Sequence, residues 1–171
     1  MQSDQPRDPV PDPRIRLAVA ADAPVLAALR FEFRAGLAPD AVIEPGFHER
    51  CAVWMAARLP REELWSCWIA EAGSGGPSGT VWVQWLEKLP NPTDEPERHA
   101  YVTSLYVRPA ARNHGVGSAL LKAVLAECAA RGCDSVFLWP TPRSRSLYLR
   151  HGFSAESGLL EHRLWQGSVR A

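Results

Sequence analysis

Along this chain the spacing of apolar residues switches between two and about 3.6, and each switch marks the border of an element. "RIRLAVA" (14–20) alternates and predicts a first strand. Asp22 stands where a helix N-cap belongs and Pro24 falls in the first turn, so a helix is expected through "APVLAALRFEFR". After the proline-bounded loop "PDAVIEP", the segment "GFHERCAVWMAARL" (46–59) brings Phe47, Cys51, Trp54, Met55 and Leu59 onto one helical stripe. "LWSCWIAEA" (64–72) and "TVWVQWLEKL" (80–89) are rich in aromatic and β-branched residues, and "GSGGPSG" between them is a turn, which predicts an antiparallel hairpin. In the second of these strands Val81, Val83 and Trp85 alternate with Trp82 and Leu86. Both faces are therefore apolar, and the strand is expected to lie centrally in its sheet.

A polar, proline-rich loop, "PNPTDEPER" (90–98), leads into a fourth strand, "HAYVTSLYV" (99–107). "GVGSALLKAVLAECAARG" (115–132) is the most regular helix: Val116, Leu120, Val124 and Cys128 recur at a four-residue step, and Gly132 closes it. "DSVFLWP" (134–140) is a fifth strand stopped by Pro140. "RSRSLYLRHG" (143–152) is a short helix ended by Gly152, and "FSAES" with "LLEHRLW" (159–165) predicts a last hairpin. There is no internal repeat. The order predicts an α+β fold, a mixed sheet with helices on its faces, in which the fourth strand, the long helix and the fifth strand form a right-handed parallel crossover.

Composition narrows the function. Residues 14–171 suffice for one domain, and residues 1–13, with their prolines and no apolar signal core, read as a disordered leader. Lys and Arg balance Asp and Glu at 19 each, so no global basic field exists for nucleic acid. No apolar run approaches the roughly eighteen residues of a membrane span. Cys51, Cys67, Cys128 and Cys133 form neither a C-x-x-C pair nor a zinc pattern, so no metal is expected and free thiols in a reducing cytoplasm are.

The chemistry concentrates in "RNHGVG" (112–117), between a strand and the strongest helix. A helix start carries unpaired N–H groups and the positive end of the macrodipole, and glycine lets an anion come close to them. The segment reads either as a phosphate cradle, with Arg112 adding a charge, or as a cap by Asn113 with glycines for a tight turn. It is not a P-loop, since no Gly-Lys-Ser/Thr follows. It is not the dinucleotide fingerprint either, since Leu120 stands where the third glycine belongs.

With its surroundings, "YVTSLYVRPAARNHGVGSALL" resembles the signature of the GNAT superfamily of acyl-CoA N-acyltransferases, in Leu105, Val107, Pro109, Arg112, Gly115 and Gly117. Downstream, "SRSLYLRHGF" resembles the family's second mark in Leu147, Tyr148, Gly152 and Phe153. The resemblance implies a mostly antiparallel mixed sheet splayed between strands four and five, with helices on both faces and acetyl-CoA as co-substrate in the splay. It implies that main-chain groups of Asn113, His114, Gly115, Val116, Gly117 and Ser118 hold the pyrophosphate, with Arg112. It implies further that Leu105, Tyr106 and Val107 pair with the pantetheine and that a primary amine attacks the thioester directly.

Tyr148, with a reference pKa of about 10, can donate a proton to the leaving thiolate, whose thiol has a reference pKa of roughly 8.5, provided that it lies within reach of the sulfur. The base is open. Where many members carry a glutamate on strand four this chain has Thr103, which leaves Glu87, His99, or water linked to Thr103 and Ser104. Where many carry an asparagine before the tyrosine helix it has Thr141. Arg143 or Arg145 would meet a CoA phosphate or an acidic substrate, or lie with Arg150 on a solvated face; of seven tryptophans, one or two would line an acceptor pocket. The expected activity is N-acetyl transfer to a small-molecule or peptide amine, with no nucleic-acid or membrane partner, in a protein whose family resemblance allows a homodimer. Two other readings stand: a non-catalytic acyl-CoA-binding domain, motivated by Thr103, and a binder of another nucleotide phosphate.

Overall fold

The strand that is apolar on both faces organises the structure. A computed structural model describes residues 13–71, 76–156 and 158–164. The strands are β1 (Arg14–Leu17), β2 (Trp65–Glu71), β3 (Pro77–Glu87), β4 (Arg98–Val107) and β5 (Ser135–Phe137). They lie in the sheet in that order, so β3 is central. Neighbours from β1 to β4 are antiparallel, and β4 with β5 is parallel. The helices are α1 (Ala23–Leu37), α2 (Phe47–Arg58), α3 (Val116–Ala130) and α4 (Arg145–Arg150), with single 3-10 turns at Ala20–Asp22 and Pro109–Ala111.

The two faces of β3 make two cores. Trp82 packs with Leu26 and Leu29 of α1 and Met55 of α2, while Val81, Val83 and Trp85 pack with Val116, Leu120, Val124 and Cys128 of α3. Leu26, Leu29, Leu120 and Leu121 are fully buried, each worth about 1.5–3 kcal/mol of apolar transfer. Helix α3 ends in a Schellman motif: Gly132 takes φ 64°, its N–H donates to the Ala129 carbonyl, and the Cys133 N–H donates to the Cys128 carbonyl. The Asp134 N–H then donates to the Arg98 carbonyl, which sets β5 beside β4.

Two irregularities open that edge. Thr80 pairs with Tyr106 and Trp82 with Thr103, so β4 carries one residue more than β3, a bulge at which Ser104 takes φ 54°. Strand β5 pairs with β4 at His99, Ala100 and Tyr101 only. Past Tyr101, β4 runs on to Val107 paired with β3 on one side and, among the described residues, with no strand on the β5 side.

The structure corrects several expectations. β1 ends at Leu17 because the chain turns at Ala20–Asp22. Asp22 stands at the N-cap position of α1 as expected, but its side chain makes no capping bond there: its carboxylate accepts from Arg16 and from the Val19 N–H. β5 stops at Phe137, not Pro140, because Trp139 turns its ring against Tyr101 and Phe137. Residues 153–156 and 158–164 form no strand, and the rest of the expected last hairpin lies outside the described residues, as do residues 73–75 of the expected turn and nearly all of the expected leader. Pro77–Gly79 belongs to β3: a Cβ on Gly79 would lie 2.8 Å from the Tyr106 carbonyl oxygen, so glycine here allows β3 and β4 to approach.

Candidate active site

The loop between β4 and α3 makes the first wall of the site. Asn113 (φ 65°) and Gly115 (φ 78°) both take the left-handed conformation, and no side chain caps α3. Asn113 is therefore not the cap of this helix. Among the described residues, none of the N–H groups from Asn113 to Ser118 has a hydrogen-bond partner. Such a row at a helix start suits an anion, and is the candidate cradle. Val116 turns its side chain into the core, so only its main chain faces the cradle, while Asn113 and His114 are exposed. Arg112 donates from Nε to the Val107 carbonyl at 2.9 Å and lies over the Tyr106 ring. Its terminal nitrogens have no hydrogen-bond partner among the described residues.

The second wall is the free edge of β4. The Arg108 N–H donates to the Ser78 carbonyl across to β3, so strand alternation turns the main-chain groups of Leu105 and Val107 outward, and those of Tyr106 inward. Gly117 joins the two walls: a Cβ there would rest 3.4 Å from Leu147, 3.8 Å from Leu105 and 3.8 Å from Val107.

Helix α4 supplies the third wall. Thr141 and Ser144 cap each other before it, each hydroxyl oxygen accepting from the other's N–H. The helix ends in a second Schellman motif, in which Gly152 (φ 84°) lets the Phe153 N–H donate to the Tyr148 carbonyl. The Phe153 ring consequently packs edge-on against Tyr148, 5.6 Å between centroids. This is the physical content of the Leu-Tyr … Gly-Phe pattern. Burial pushes the Tyr148 phenol up to about 12, against a weaker opposing pull from its bond with Ser144. The phenol therefore keeps its proton at neutral pH. It lines one cavity with Tyr101, Thr103, Ser104 and Leu105 of β4, Phe33 of α1, and Trp139, Thr141 and Ser144.

The sequence model of the acetyltransferase (GNAT) family matches residues 33–153, which includes the cradle, the free edge and the tyrosine. The chain belongs to the GNAT acetyltransferase family. The activity class that this membership supports is acyl transfer. A predicted acetyltransferase of Clostridium acetobutylicum, solved with acetyl-CoA, has a TM-score of 0.74 at 22% identity, over 89% of this chain and 96% of its own. A GCN5-related N-acetyltransferase of Ralstonia eutropha gives 0.72 at 24%, over 88% and 98%. An aminoglycoside acetyltransferase from an uncultured soil metagenomic sample, in complex with sisomicin, gives 0.65 at 16%, over 91% and 97%. No curated protein matches the chain. At these identities the likeness speaks to the fold alone.

In this GNAT chain the candidate bases are not brought to the cavity. Glu87 is exposed opposite Arg98, on the order of 16 Å along β4 from Thr103 at about 3.3 Å per residue. His99 turns Nδ1 to Ser135 Oγ at 2.8 Å. The cavity lining contains no carboxylate and no imidazole. Trp82 and Trp85 are core, Trp139 lines the cavity, and Arg143, Arg145 and Arg150 are exposed. No helix among the described residues is long and apolar enough to cross a membrane.

Four contacts around the site had no signal in the sequence. Ser118 Oγ lies 2.7 Å from His151 Nε2, tying the first turn of α3 to the end of α4. Glu32 of α1 accepts three hydrogen bonds from Arg108, whose Nε is shared between both carboxylate oxygens, and a fourth from the Tyr106 hydroxyl, which holds its carboxyl below the usual range, chiefly through Arg108. Arg108 also donates to the Pro77 carbonyl. Arg30 of α1 donates to Ser104 Oγ at the bulge. Each pair joins residues at least 31 apart in sequence, so no local pattern announces it.

Proposed function

We propose that the protein is an N-acetyltransferase that moves an acetyl group from acetyl-CoA to a primary amine by direct transfer. One observation carries this reading: six unpartnered N–H groups, Asn113 to Ser118, meet the free edge of β4 and the tyrosine helix at Gly117. The acetyl-CoA present in the Clostridium neighbour and the amine-bearing sisomicin in the soil-metagenome neighbour support it.

Acetyl-CoA supplies an activated thioester. The cradle, with the terminal nitrogens of Arg112, holds its pyrophosphate. Leu105 and Val107, with their main chain turned outward, pair with the pantetheine as an added strand would, the Tyr106 peptide completing the stretch. Tyr148 stays protonated and donates to the sulfur as charge develops there. An ammonium with a pKa near about 10.4 must lose a proton before it attacks. With no acid or imidazole in the lining, water held by the Thr103 and Ser104 hydroxyls takes that proton.

Titration calorimetry with acetyl-CoA, with ATP and NAD as controls, tests the cradle: saturable binding of acetyl-CoA alone is expected. Thiol release across a panel of amines tests transfer. The lining without a base also favours a second reading, a non-catalytic acyl-CoA-binding domain. Binding with no thiol release from any amine would select it.

A further inference from the structure

Arg30 has no acid. It is partly buried on α1, donates from Nη1 to Ser104 Oγ at 2.8 Å, and sits over the Phe33 ring, 5.7 Å from its centroid. Ser104 and Phe33 both line the cavity that ends at Tyr148. Among the described residues no carboxylate pairs with Arg30. The ionisable groups that act on it are Arg34, one turn along α1, Cys51 and Tyr101. Glu32, nearby on the same helix, is already taken by Arg108 and Tyr106. Three partly covered arginines do hold acids: Arg16 holds Asp22 and Glu71, Arg108 holds Glu32, and Arg131 holds Glu127; Arg58 and Arg112, which like Arg30 have no acid among the described residues, donate to main-chain carbonyls instead.

Removing a guanidinium from water without a counter-ion is unfavourable, and a like charge at Arg34 adds to the cost. Burial draws the Arg30 pKa down, with Arg34 acting the same way, yet a guanidinium remains charged at neutral pH. One nitrogen is used by Ser104, and the rest of the fork is available to an anion. We infer that Arg30 anchors a carboxylate of the acceptor, so that the substrate is a small molecule bearing both a primary amine and a carboxylate. The inference rests on the transferase reading and names the acceptor class for it. A carboxylate at Arg30 places the remainder of the molecule along Ser104 and Thr103 toward Tyr148, where the amine is needed.

The test uses the full chain saturated with acetyl-CoA, and straight-chain amino acids from glycine to 6-aminohexanoate against their primary amides. At one chain length the acid should exceed its amide in kcat/KM by roughly 10- to 100-fold, mainly through KM, because the amide leaves the guanidinium unpaired. In Arg30→Met that preference should fall to about one, with acetyl-CoA affinity unchanged; Arg30→Lys should keep part of it. Alkanoates that lack the amine should raise the melting temperature of the wild type and not of Arg30→Met. Without ligand, Arg30→Met should melt at or above the wild-type temperature, since it removes an unpaired charge. A clear fall would assign Arg30 to holding the bulge and overturn the anchor. Equal use of acids and amides would overturn the anchor and leave the transferase standing. Alkanoate binding through Arg30 with no amine acetylated would do the reverse. Neither binding nor turnover would overturn both.

Discussion

The two sides of the splay between β4 and β5 are built differently. On the proposed reading the cofactor side is main chain: N–H groups from Asn113 to Ser118 and the outward edge at Leu105 and Val107. On the same reading the acceptor side is side chain: Phe33 from α1, Tyr101, Thr103 and Ser104 from β4 and Trp139 after β5 line the cavity, and Arg30 of α1 donates to Ser104 from behind that wall. A main-chain surface needs glycine and a helix start, whatever the substrate's acceptor half looks like. A side-chain surface can change with every residue of α1. If the proposed reading holds, one face of the cleft takes the co-substrate and the other takes the acceptor.

The largest expected effect lies where the two sides meet. Tyr148→Phe keeps the ring that packs against Phe153 and removes only the hydroxyl. Turnover should fall by about 10²- to 10⁴-fold, the span of general acid catalysis, while acetyl-CoA affinity stays within about twofold. Thiol release and calorimetry on the same preparation read both. A variant with full activity would take Tyr148 out of the mechanism.

Two glycines then separate fold from cradle. A Cβ at Gly79 would meet the Tyr106 carbonyl oxygen, which is backbone and cannot swing aside. Gly79→Ala should cost about 1–3 kcal/mol and lower the melting temperature by several degrees. At Gly117 a Cβ finds ordinary contacts, so the fold should tolerate a side chain there. Gly117→Val should instead weaken acetyl-CoA binding by about tenfold, or about 1.4 kcal/mol, by crowding the N–H row. Unchanged affinity in Gly117→Val would refute the cradle.

This division also explains what could be read from the sequence. Gly115 and Gly117 stand two apart in the chain, within the one short loop that forms the start of α3, and the four-residue step of Val116, Leu120, Val124 and Cys128 places the helix on its sheet. The hairpin of β2 and β3 followed from alternation and the turn between them, whereas the pairing of β1 with β2 and of β3 with β4 was not legible. Gly152 and Phe153 were legible as a pattern, but the reason, a ring returned onto Tyr148, needed three dimensions. Ser104 looks like an ordinary strand residue, and nothing local says that it takes a left-handed conformation. Its partner Arg30 lies 74 residues away. Gly79 reads as one more turn glycine until β4 is seen against it. The last hairpin failed as an expectation because 159–164 alternates too little to fix a register, and the described part carries no pairing.

The smallest effect concerns the one ion pair that joins the two sides. Glu32 of α1 holds Arg108 at 2.8 Å, and Arg108 closes the end of β4 that leads into the cradle. The hydrogen bonds from Arg108 lower the Glu32 pKa in the folded chain, so the folded state binds fewer protons here than the unfolded one. The resulting stability is fully present above the unfolded glutamate value of about 4.3, and is lost as pH falls through the lower folded value. Both side chains are about a third exposed, 35% and 34%, so solvent screens the pair. Glu32→Gln should cost no more than about 1 kcal/mol at pH 7, and the difference from wild type should shrink as the pH drops below about 4. Thermal melts of both proteins from pH 3 to 8 measure this. If acetyl-CoA affinity moves with the melting temperature in Glu32→Gln, then α1 and the cradle are mechanically coupled. If only stability moves, the two sides of the cleft are independent, and the acceptor face can be redesigned without disturbing the cofactor face.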